Sequence, residues 1–281
     1  MYMQIGNLEV ELLCAGYFSL DGGASFGIIP KAVWQKVCEA DEENRIRVAC
    51  RSLLIKTEKK NILVDTGMGE KWDDKFIEMY AIDNSSSLSS SLSNLGMKVE
   101  DIDIVVNTHL HFDHCGGNTI DNSGEIDPAF PNARYVIQKG EWDWALNPDE
   151  RSAGSYLDEN YQPLMQNFGM VDLVEGNFKI CDEVELIITE GHTKYHQSVL
   201  VSAGEERVFF PGDLVPTSMH VHLPWIMAYD LFPYDSIQTR KKIFKRAINE
   251  NWIIALEHDP VYEFGRIRIE KGKFIFVPEE R

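Results

Sequence analysis

The chain has few cysteines, few basic residues and no long apolar run, and each shortage disfavours a class of protein. Its five cysteines are odd in number and scattered, which does not fit a disulfide framework. No run approaches the about 18 apolar residues of a membrane span, and the first residues lack a basic region followed by an apolar one. We therefore expect a soluble, cytoplasmic protein that does not bind membranes.

Basic residues are also outnumbered. The chain has 27 Lys and Arg against 45 Asp and Glu, which gives a formal net charge of −18. Because nucleic-acid binding depends largely on cations that neutralise phosphates, this balance predicts that nucleic acid is not a partner.

The sequence contains no linker-like run of proline, glycine or serine. Its serine-rich segment, Ser85 to Ser93, carries Leu88 and Leu92 at helical spacing, which predicts a helix on the core and not a spacer. With 281 residues and 44% hydrophobic content, the chain can bury a sizeable core. We predict a single domain, residues 1–281.

One long segment, Tyr234 to Asn251, has the spacing of an amphipathic helix. Phe244 and Ala247 belong to its apolar face. The other face is predicted to lie in solvent and carries four basic residues: Arg240, Lys241, Lys245 and Arg246.

Histidine is scarce as well, yet three of the eight histidines lie within six residues, His109 to His114. They follow an apolar strand, and in the extended turn after it His109 and His111 point the same way and can bind one metal ion together. Asp113 and His114 open a predicted helix and point elsewhere, which favours two metal ions over one. Cys115 is a candidate ligand or nucleophile, but a small buried residue behind the site is the favoured interpretation.

Four further apolar strands end in a ligand-type side chain. Asp65 follows the first of them and is predicted to contact a metal ligand, with the cap of a turn as the alternative. His192, Asp213 and His258 follow the other three. Pairing these residues predicts two three-ligand sites and one bridging carboxylate: His109, His111 and His192; Asp113, His114 and His258; and Asp213. Such sites fit two divalent ions, with Zn²⁺ favoured and Mn²⁺, Fe²⁺ or Co²⁺ as alternatives.

The pattern H-x-H-x-D-H, followed by a separate His, Asp and His, resembles the metallo-β-lactamase-fold hydrolase superfamily from Asp65 to His258. The resemblance implies an α+β fold, an αββα four-layer sandwich with two facing mixed β-sheets and helices outside. It also implies the ligand set given above.

Within that superfamily, several segments resemble the quorum-quenching N-acyl homoserine lactonases and the related methyl parathion hydrolases. They are Gly191 to Thr193 with His196 to Ser198, the loop Leu20 to Gly27, Asn147 to Ser152, and Trp225 to Asp230. The resemblance implies a lactonase, which hydrolyses a carboxylic ester bond in a small lactone or ester. We hypothesise that a hydroxide shared by two ions attacks the carbonyl carbon and that Asp113 or a water returns the proton to the leaving alkoxide.

One position departs from the lactonase pattern. Many lactonases of this superfamily carry a tyrosine three residues after the bridging aspartate, where this chain has Pro216. We predict that His220 or His222 stabilises the oxyanion instead, against the alternative of solvated loop histidines. Phe26, Trp225 and Tyr229 are predicted to contact the substrate, with ordinary core positions as the alternative.

Other functions use the same ligands. A glyoxalase-type thioesterase and a phosphotriesterase remain alternatives, whereas the charge disfavours an RNA-processing nuclease and His111 disfavours a redox di-iron protein. A metal-dependent sensor without turnover is the non-enzymatic alternative, although structural zinc sites are usually closed by four ligands. The sequence leaves homodimerisation open.

Overall fold

The structure is a computed structural model, and it describes residues 2–83 and 85–279. The chain forms two compact units. The first unit contains the residues up to Tyr17 and Cys50–Phe178, and the second unit contains Phe18–Ala49 and the residues from Lys179 onward.

The described residues form the following β-strands: β1 Tyr2–Ile5, β2 Leu8–Asp21, β3 Arg45–Lys56, β4 Asn61–Val64, β5 Ile104–Val106, β6 Thr119–Asn122, β7 Glu125–Pro128, β8 Arg134–Gln138, β9 Val171–Val174, β10 Phe178–Lys179, β11 Val184–Ile188, β12 Gln197–Ala203, β13 Glu206–Phe210, β14 Ile253–Ala255, β15 Phe264–Glu270 and β16 Lys273–Pro278. The α-helices are α1 Gly22–Phe26, α2 Lys31–Trp34, α3 Asp74–Tyr80, α4 Leu88–Asn94, α5 Phe112–Cys115, α6 Lys139–Ala145, α7 Gln162–Gln166 and α8 Pro233–Asn249.

A seven-stranded mixed sheet, in the order β1-β2-β3-β4-β5-β8-β9, belongs mainly to the first unit. Its strands β4, β5, β8 and β9 are parallel, and the side chains of Ile62 and Val105 are fully buried. Continuous apolar runs are typical of parallel strands buried on both faces. Because parallel strands end at the same edge, the segments after β4 and β5 lie side by side.

The second unit contains a seven-stranded sheet in the order β10-β11-β12-β13-β14-β15-β16. Only β13 and β14 pair in parallel among the neighbours in this sheet whose register the structure describes. Helix α8 packs Phe244 and Ala247 into a core with Phe209 and Trp252. The segments after β13 and β14 therefore leave the sheet at the same edge, and they carry Asp213 and His258.

Two mixed sheets with helices confirm the predicted α+β class. The predicted helix around Leu88 and Leu92 is also confirmed, since α4 buries both side chains. The predicted loop Leu20 to Gly27 is wrong in part because Gly22–Phe26 forms a short helix, which Asp21 caps by accepting a hydrogen bond from the Ala24 N–H at 2.7 Å.

The predicted basic face of α8 is wrong at one position. Lys245 and Arg246 are exposed, but the Arg240 side chain is fully buried. Its guanidinium donates hydrogen bonds to the carbonyl oxygens of Leu214, His220 and Trp225, at 2.6, 3.0 and 2.7 Å.

Among the described residues, no helix combines the length and the apolar character needed to cross a membrane. The single domain of residues 1–281 stays a prediction.

Candidate metal centre

In the first unit, Asp65 organises the histidine-rich turn. This residue directly follows β4, is fully buried, and accepts hydrogen bonds from the Thr108 N–H at 2.7 Å and the Thr108 hydroxyl at 2.6 Å. Its Oδ2 also lies 3.0 Å from Nδ1 of His114. The predicted contact between Asp65 and a candidate metal ligand is therefore present.

These contacts determine which ring nitrogen of each histidine carries the proton. A carboxylate only accepts hydrogen bonds, so Nδ1 of His114 is the donor to Asp65 and Nε2 carries the lone pair. Thr108 donates its one hydroxyl proton to Asp65, so its oxygen accepts from Nδ1 of His109 at 3.0 Å. In both neutral imidazoles the lone pair that binds a metal is on Nε2.

The second unit orients two histidines in the same way. Nδ1 of His192 lies 3.0 Å from Oδ1 of Asp230, and Nδ1 of His258 lies 2.8 Å from the carbonyl oxygen of Ala49. Both partners are acceptors, so both Nδ1 atoms are protonated, and in the neutral imidazoles both Nε2 atoms carry lone pairs.

Asp213 presents one carboxylate oxygen to each of these imidazoles. Oδ2 lies 3.1 Å from Nε2 of His192, and Oδ1 lies 3.2 Å from Nε2 of His258. The Asp213 carboxylate and the two imidazoles are therefore buried with their lone pairs directed at one another. This arrangement is stable only when positive charge lies between them. Imidazole and carboxylate are ligands that zinc and related divalent ions favour, so these donors fit such a metal.

His196 positions the backbone of Asp213. Its Nε2 accepts a hydrogen bond from the Asp213 N–H at 3.2 Å, while Nδ1 lies 2.8 Å from the hydroxyl oxygen of Thr189. Both nitrogens are engaged, so His196 supports the centre without being a ligand candidate.

The contacts around His111 are not predictable from the sequence pattern. The Tyr156 ring packs edge-on to the His111 ring, with centroids 4.8 Å apart. Tyr156 donates to Glu141 at 2.9 Å, and the same carboxylate oxygen accepts from the Leu110 N–H at 3.2 Å. Glu141 and Tyr156 thus hold the turn between His109 and His111.

Behind the centre, the backbone after α5 passes close to the segment after β4. A Cβ on Gly117 would lie 2.2 Å from the Thr66 carbonyl oxygen, so only glycine fits there. Cys115 is fully buried, its thiol donates to the Leu110 carbonyl oxygen at 3.3 Å, and burial raises the pKa of the thiol. These observations support the favoured interpretation of Cys115 as a packing residue.

His220 lies inside the second unit. Nε2 donates to the Ser25 carbonyl oxygen at 2.9 Å, and Nδ1 lies 2.7 Å from the Thr217 hydroxyl oxygen. The ring stacks on Phe26, with centroids 5.5 Å apart. The alternative of a solvated loop histidine is therefore wrong, and the environment favours a structural role over the predicted stabilisation of an oxyanion.

The remaining predicted pocket residues differ in exposure. Phe26 is fully buried and also stacks on Trp34, which favours the core alternative. His222 is exposed, whereas Trp225 and Tyr229 are half-buried. Contact of any of them with substrate stays a prediction.

Pro216 has a structural contact. Its carbonyl oxygen accepts a hydrogen bond from the His258 N–H at 3.0 Å. Proline has no N–H of its own, so this position cannot supply the donor that a tyrosine would provide.

The environment of His220 predicts a loss of stability in acid. Burial, helped by the charge of Arg240, lowers the pKa of His220 to about 4, whereas an unfolded histidine titrates near 6.5. Below about pH 6.5 the unfolded chain binds the proton first, so stability falls as the pH drops towards about 4. At pH 5 the loss is roughly 2 kcal/mol relative to pH 7.5, measured by urea unfolding of chelator-treated protein. Asparagine does not titrate, so the His220→Asn variant should lose correspondingly less stability between pH 7.5 and pH 5. An equal loss in both proteins would show that His220 is not the cause.

Comparison with known proteins decides the family. A family model described as the metallo-beta-lactamase superfamily matches residues 45–258. The chain belongs to the metallo-β-lactamase superfamily. This match confirms the fold predicted from the H-x-H-x-D-H pattern. The protein also has groups of buried histidine and aspartate side chains that could hold metal ions.

Relatives within the metallo-β-lactamase superfamily include enzymes from bacilli. An N-acyl homoserine lactonase from Bacillus cereus is 32% identical over 158 residues, which cover 53% of this chain and 56% of that protein. The match thus spans only about half the length of that relative. An N-acyl homoserine lactonase from Bacillus thuringiensis is 26% identical over 219 residues, which cover 73% of this chain and 79% of that protein.

A solved structure matches almost the whole chain. It is a probable metal-dependent hydrolase from Staphylococcus aureus, with 29% identity, a TM-score of 0.90 and coverage of 99% of both chains. The predicted roles of the individual ligands stay predictions after these comparisons, because similarity along a chain does not assign a function to each side chain.

Proposed function

We propose that this protein is a metal-dependent hydrolase that opens the ring of N-acyl homoserine lactones. The main observation behind the proposal is the position of Asp213, whose two carboxylate oxygens each lie close to Nε2 of one histidine. In both histidines Nδ1 is already engaged in a hydrogen bond. A carboxylate so placed can bridge two cations. The named activity of the two Bacillus relatives supports the lactone as substrate.

In this proposal, the predicted donors would hold two divalent ions, of which Zn²⁺ fits best because it favours imidazole nitrogen and carboxylate oxygen. His109, His111 and His192 would hold one ion and a second group of donors would hold the other, with Asp213 available to both. The second group is Asp113, His114 and His258. We also propose that the two units work as one domain, since β2 and β3 run through both.

Two bound ions of this kind supply a hydroxide near neutral pH and polarise a carbonyl oxygen. The protein itself orients the donors: Asp65 holds His114, and Asp230 holds His192. Such outer partners typically change metal affinity or activity 10–100-fold. Asp113 is the candidate that returns a proton to the leaving alkoxide, because it is an acid at the centre with about a tenth of its side chain exposed (12%).

Charge also supports a small uncharged substrate. The formal net charge of −18 opposes binding of a polyanion, and a lactone carries no phosphate. Homodimerisation and a cytoplasmic location stay predictions.

Initial hydrolysis rates on a substrate panel test the proposal. The panel contains long- and short-chain N-acyl homoserine lactones, a simple lactone, a thioester and an aryl phosphotriester. Each rate is measured on the untreated protein, after a chelator, and after zinc or manganese is restored. We expect chelator-sensitive turnover that is fastest on the acyl homoserine lactones.

Other outcomes separate the alternatives. Fastest turnover of the thioester or the phosphotriester would keep the metal hydrolase and overturn the lactone as main substrate. Metal binding without turnover of any substrate would favour a sensor. Turnover that the chelator leaves unchanged would overturn the metal-dependent mechanism.

A further inference from the structure

The first unit contains a cavity of about 420 Å³ that none of the proposed metal ligands lines. Apolar side chains form much of its wall, among them Leu88, Val99 and Phe130. Lys71 also lines it and is the only basic residue among the lining residues that the structure describes.

The Lys71 amine is held by backbone groups. Its Nζ donates hydrogen bonds to the carbonyl oxygens of Gly116 and Thr119, the latter at 2.8 Å. A neutral amine has two N–H groups, and these two acceptors satisfy both of them. The fourth tetrahedral position is then left for the nitrogen lone pair, which makes the amine a nucleophile.

We propose that this cavity binds a neutral, apolar aldehyde or ketone, which Lys71 captures covalently and reversibly as an imine. The apolar wall accommodates the carbon chain of such a ligand, and Lys71 lines the same cavity, where its amine would react with the carbonyl group. The site is separate from the proposed lactone hydrolysis and needs no metal ion.

The reaction balances without a further reagent. The Nζ lone pair attacks the carbonyl carbon, and the carbonyl π electrons move to the oxygen, which gains a proton while the nitrogen loses one. The resulting carbinolamine expels its hydroxyl group as water after protonation. The C=N bond then forms, the second N–H proton is lost to solvent, and hydrolysis by the reverse steps releases the ligand.

The electrostatic surroundings agree with a neutral ligand. Burial lowers the pKa of Lys71 to about 8, while Glu159 and Asp121 oppose that shift. Glu70 and Asp121 also line the cavity, so an anionic ligand would be repelled. The amine is therefore partly neutral at physiological pH, in surroundings that disfavour an anion.

Reductive trapping tests this site. The purified protein is incubated with butanal and cyanoborohydride at pH 7.5, and butylated lysines are located and quantified by peptide mass spectrometry. About a quarter of an amine with a pKa of about 8 is neutral at this pH, against about 0.1% for a lysine with the usual pKa of 10.4. We expect Lys71 to be labelled at least about tenfold faster than exposed lysines, after allowance for the weaker nucleophilicity of a less basic amine.

Matched variants and probes complete the experiment. Lys71→Arg should abolish the fast labelling, whereas Lys75→Arg, at an exposed position on α3, should preserve it. Glyoxylate, an anionic aldehyde, should label Lys71 in preference to exposed lysines less strongly than butanal does, and the preference for Lys71 with butanal should fall as the pH rises above about 8. If Lys71→Arg does not fold, the peptide map of butylated lysines in the unaltered protein still tests the proposal. Labelling spread evenly over exposed lysines, or fast labelling retained in Lys71→Arg, would overturn the proposal.

Discussion

Replacing Asp213 by Asn should lower kcat/KM for lactone hydrolysis by at least about 100-fold. The amide has the same shape but loses the negative charge and presents only one oxygen, whereas the carboxylate directs one oxygen to each of His192 and His258. Partners that only orient a ligand already change affinity or activity by about 10–100-fold, so a ligand shared by two ions should have a larger effect. The bound metal should fall below two ions per chain in elemental analysis.

Asp182→Asn is the matched control, because this exposed aspartate belongs to the same unit and makes the same change in charge. It should retain both metal content and turnover. If Asp213→Asn keeps two bound ions and normal turnover, Asp213 is not the shared ligand. Loss of turnover with two ions retained would instead assign Asp213 a role in the reaction and not in metal binding.

The candidate ligands could be predicted because their signal is local. His109 and His111 are two residues apart after a short apolar strand, and Asp213 and His258 each follow an apolar strand. Parallel β13 and β14 then end at the same edge of one sheet, which is where the structure places Asp213 and His258. Residue type and strand periodicity are enough for this part of the inference.

The partners that orient the ligands could not be predicted in the same way. Asp230 contacts His192 across 38 residues of sequence, and no periodic pattern connects the two. The Ala49 carbonyl that binds His258 is a backbone group, which residue type cannot reveal. The carboxylate of Glu141 binds the turn between two candidate ligands from 31 residues away in the sequence.

Arg240 shows why polarity patterns fail at particular positions. Helical periodicity places it with Lys241, which is half-buried, and Lys245, which is exposed. Basic side chains at such positions are usually solvated. Its burial depends instead on hydrogen bonds to three backbone carbonyls of the segment after Asp213. Only the folded backbone brings those acceptors together, so the sequence pattern contains no signal for this contact.

Arg240→Met should therefore destabilise the second unit by about 3 kcal/mol or more. Methionine fills a similar volume, but it leaves the carbonyl oxygens of Leu214, His220 and Trp225 without their donor, and each buried unsatisfied group costs roughly 1–3 kcal/mol. The loss of an unfavourably buried charge offsets part of that cost. Urea unfolding followed by circular dichroism measures the change as a lower midpoint at unchanged slope.

Two further variants on the same helix separate the hydrogen bonds from the charge. Lys245→Met removes an exposed charge from α8 and should change stability by no more than about 0.5 kcal/mol. Arg240→Lys keeps the charge but not the planar arrangement of donors, so it should lie between the unaltered protein and Arg240→Met. If Arg240→Met is as stable as the unaltered protein, the three carbonyls do not need the guanidinium, and burial of the charge costs as much as its hydrogen bonds contribute.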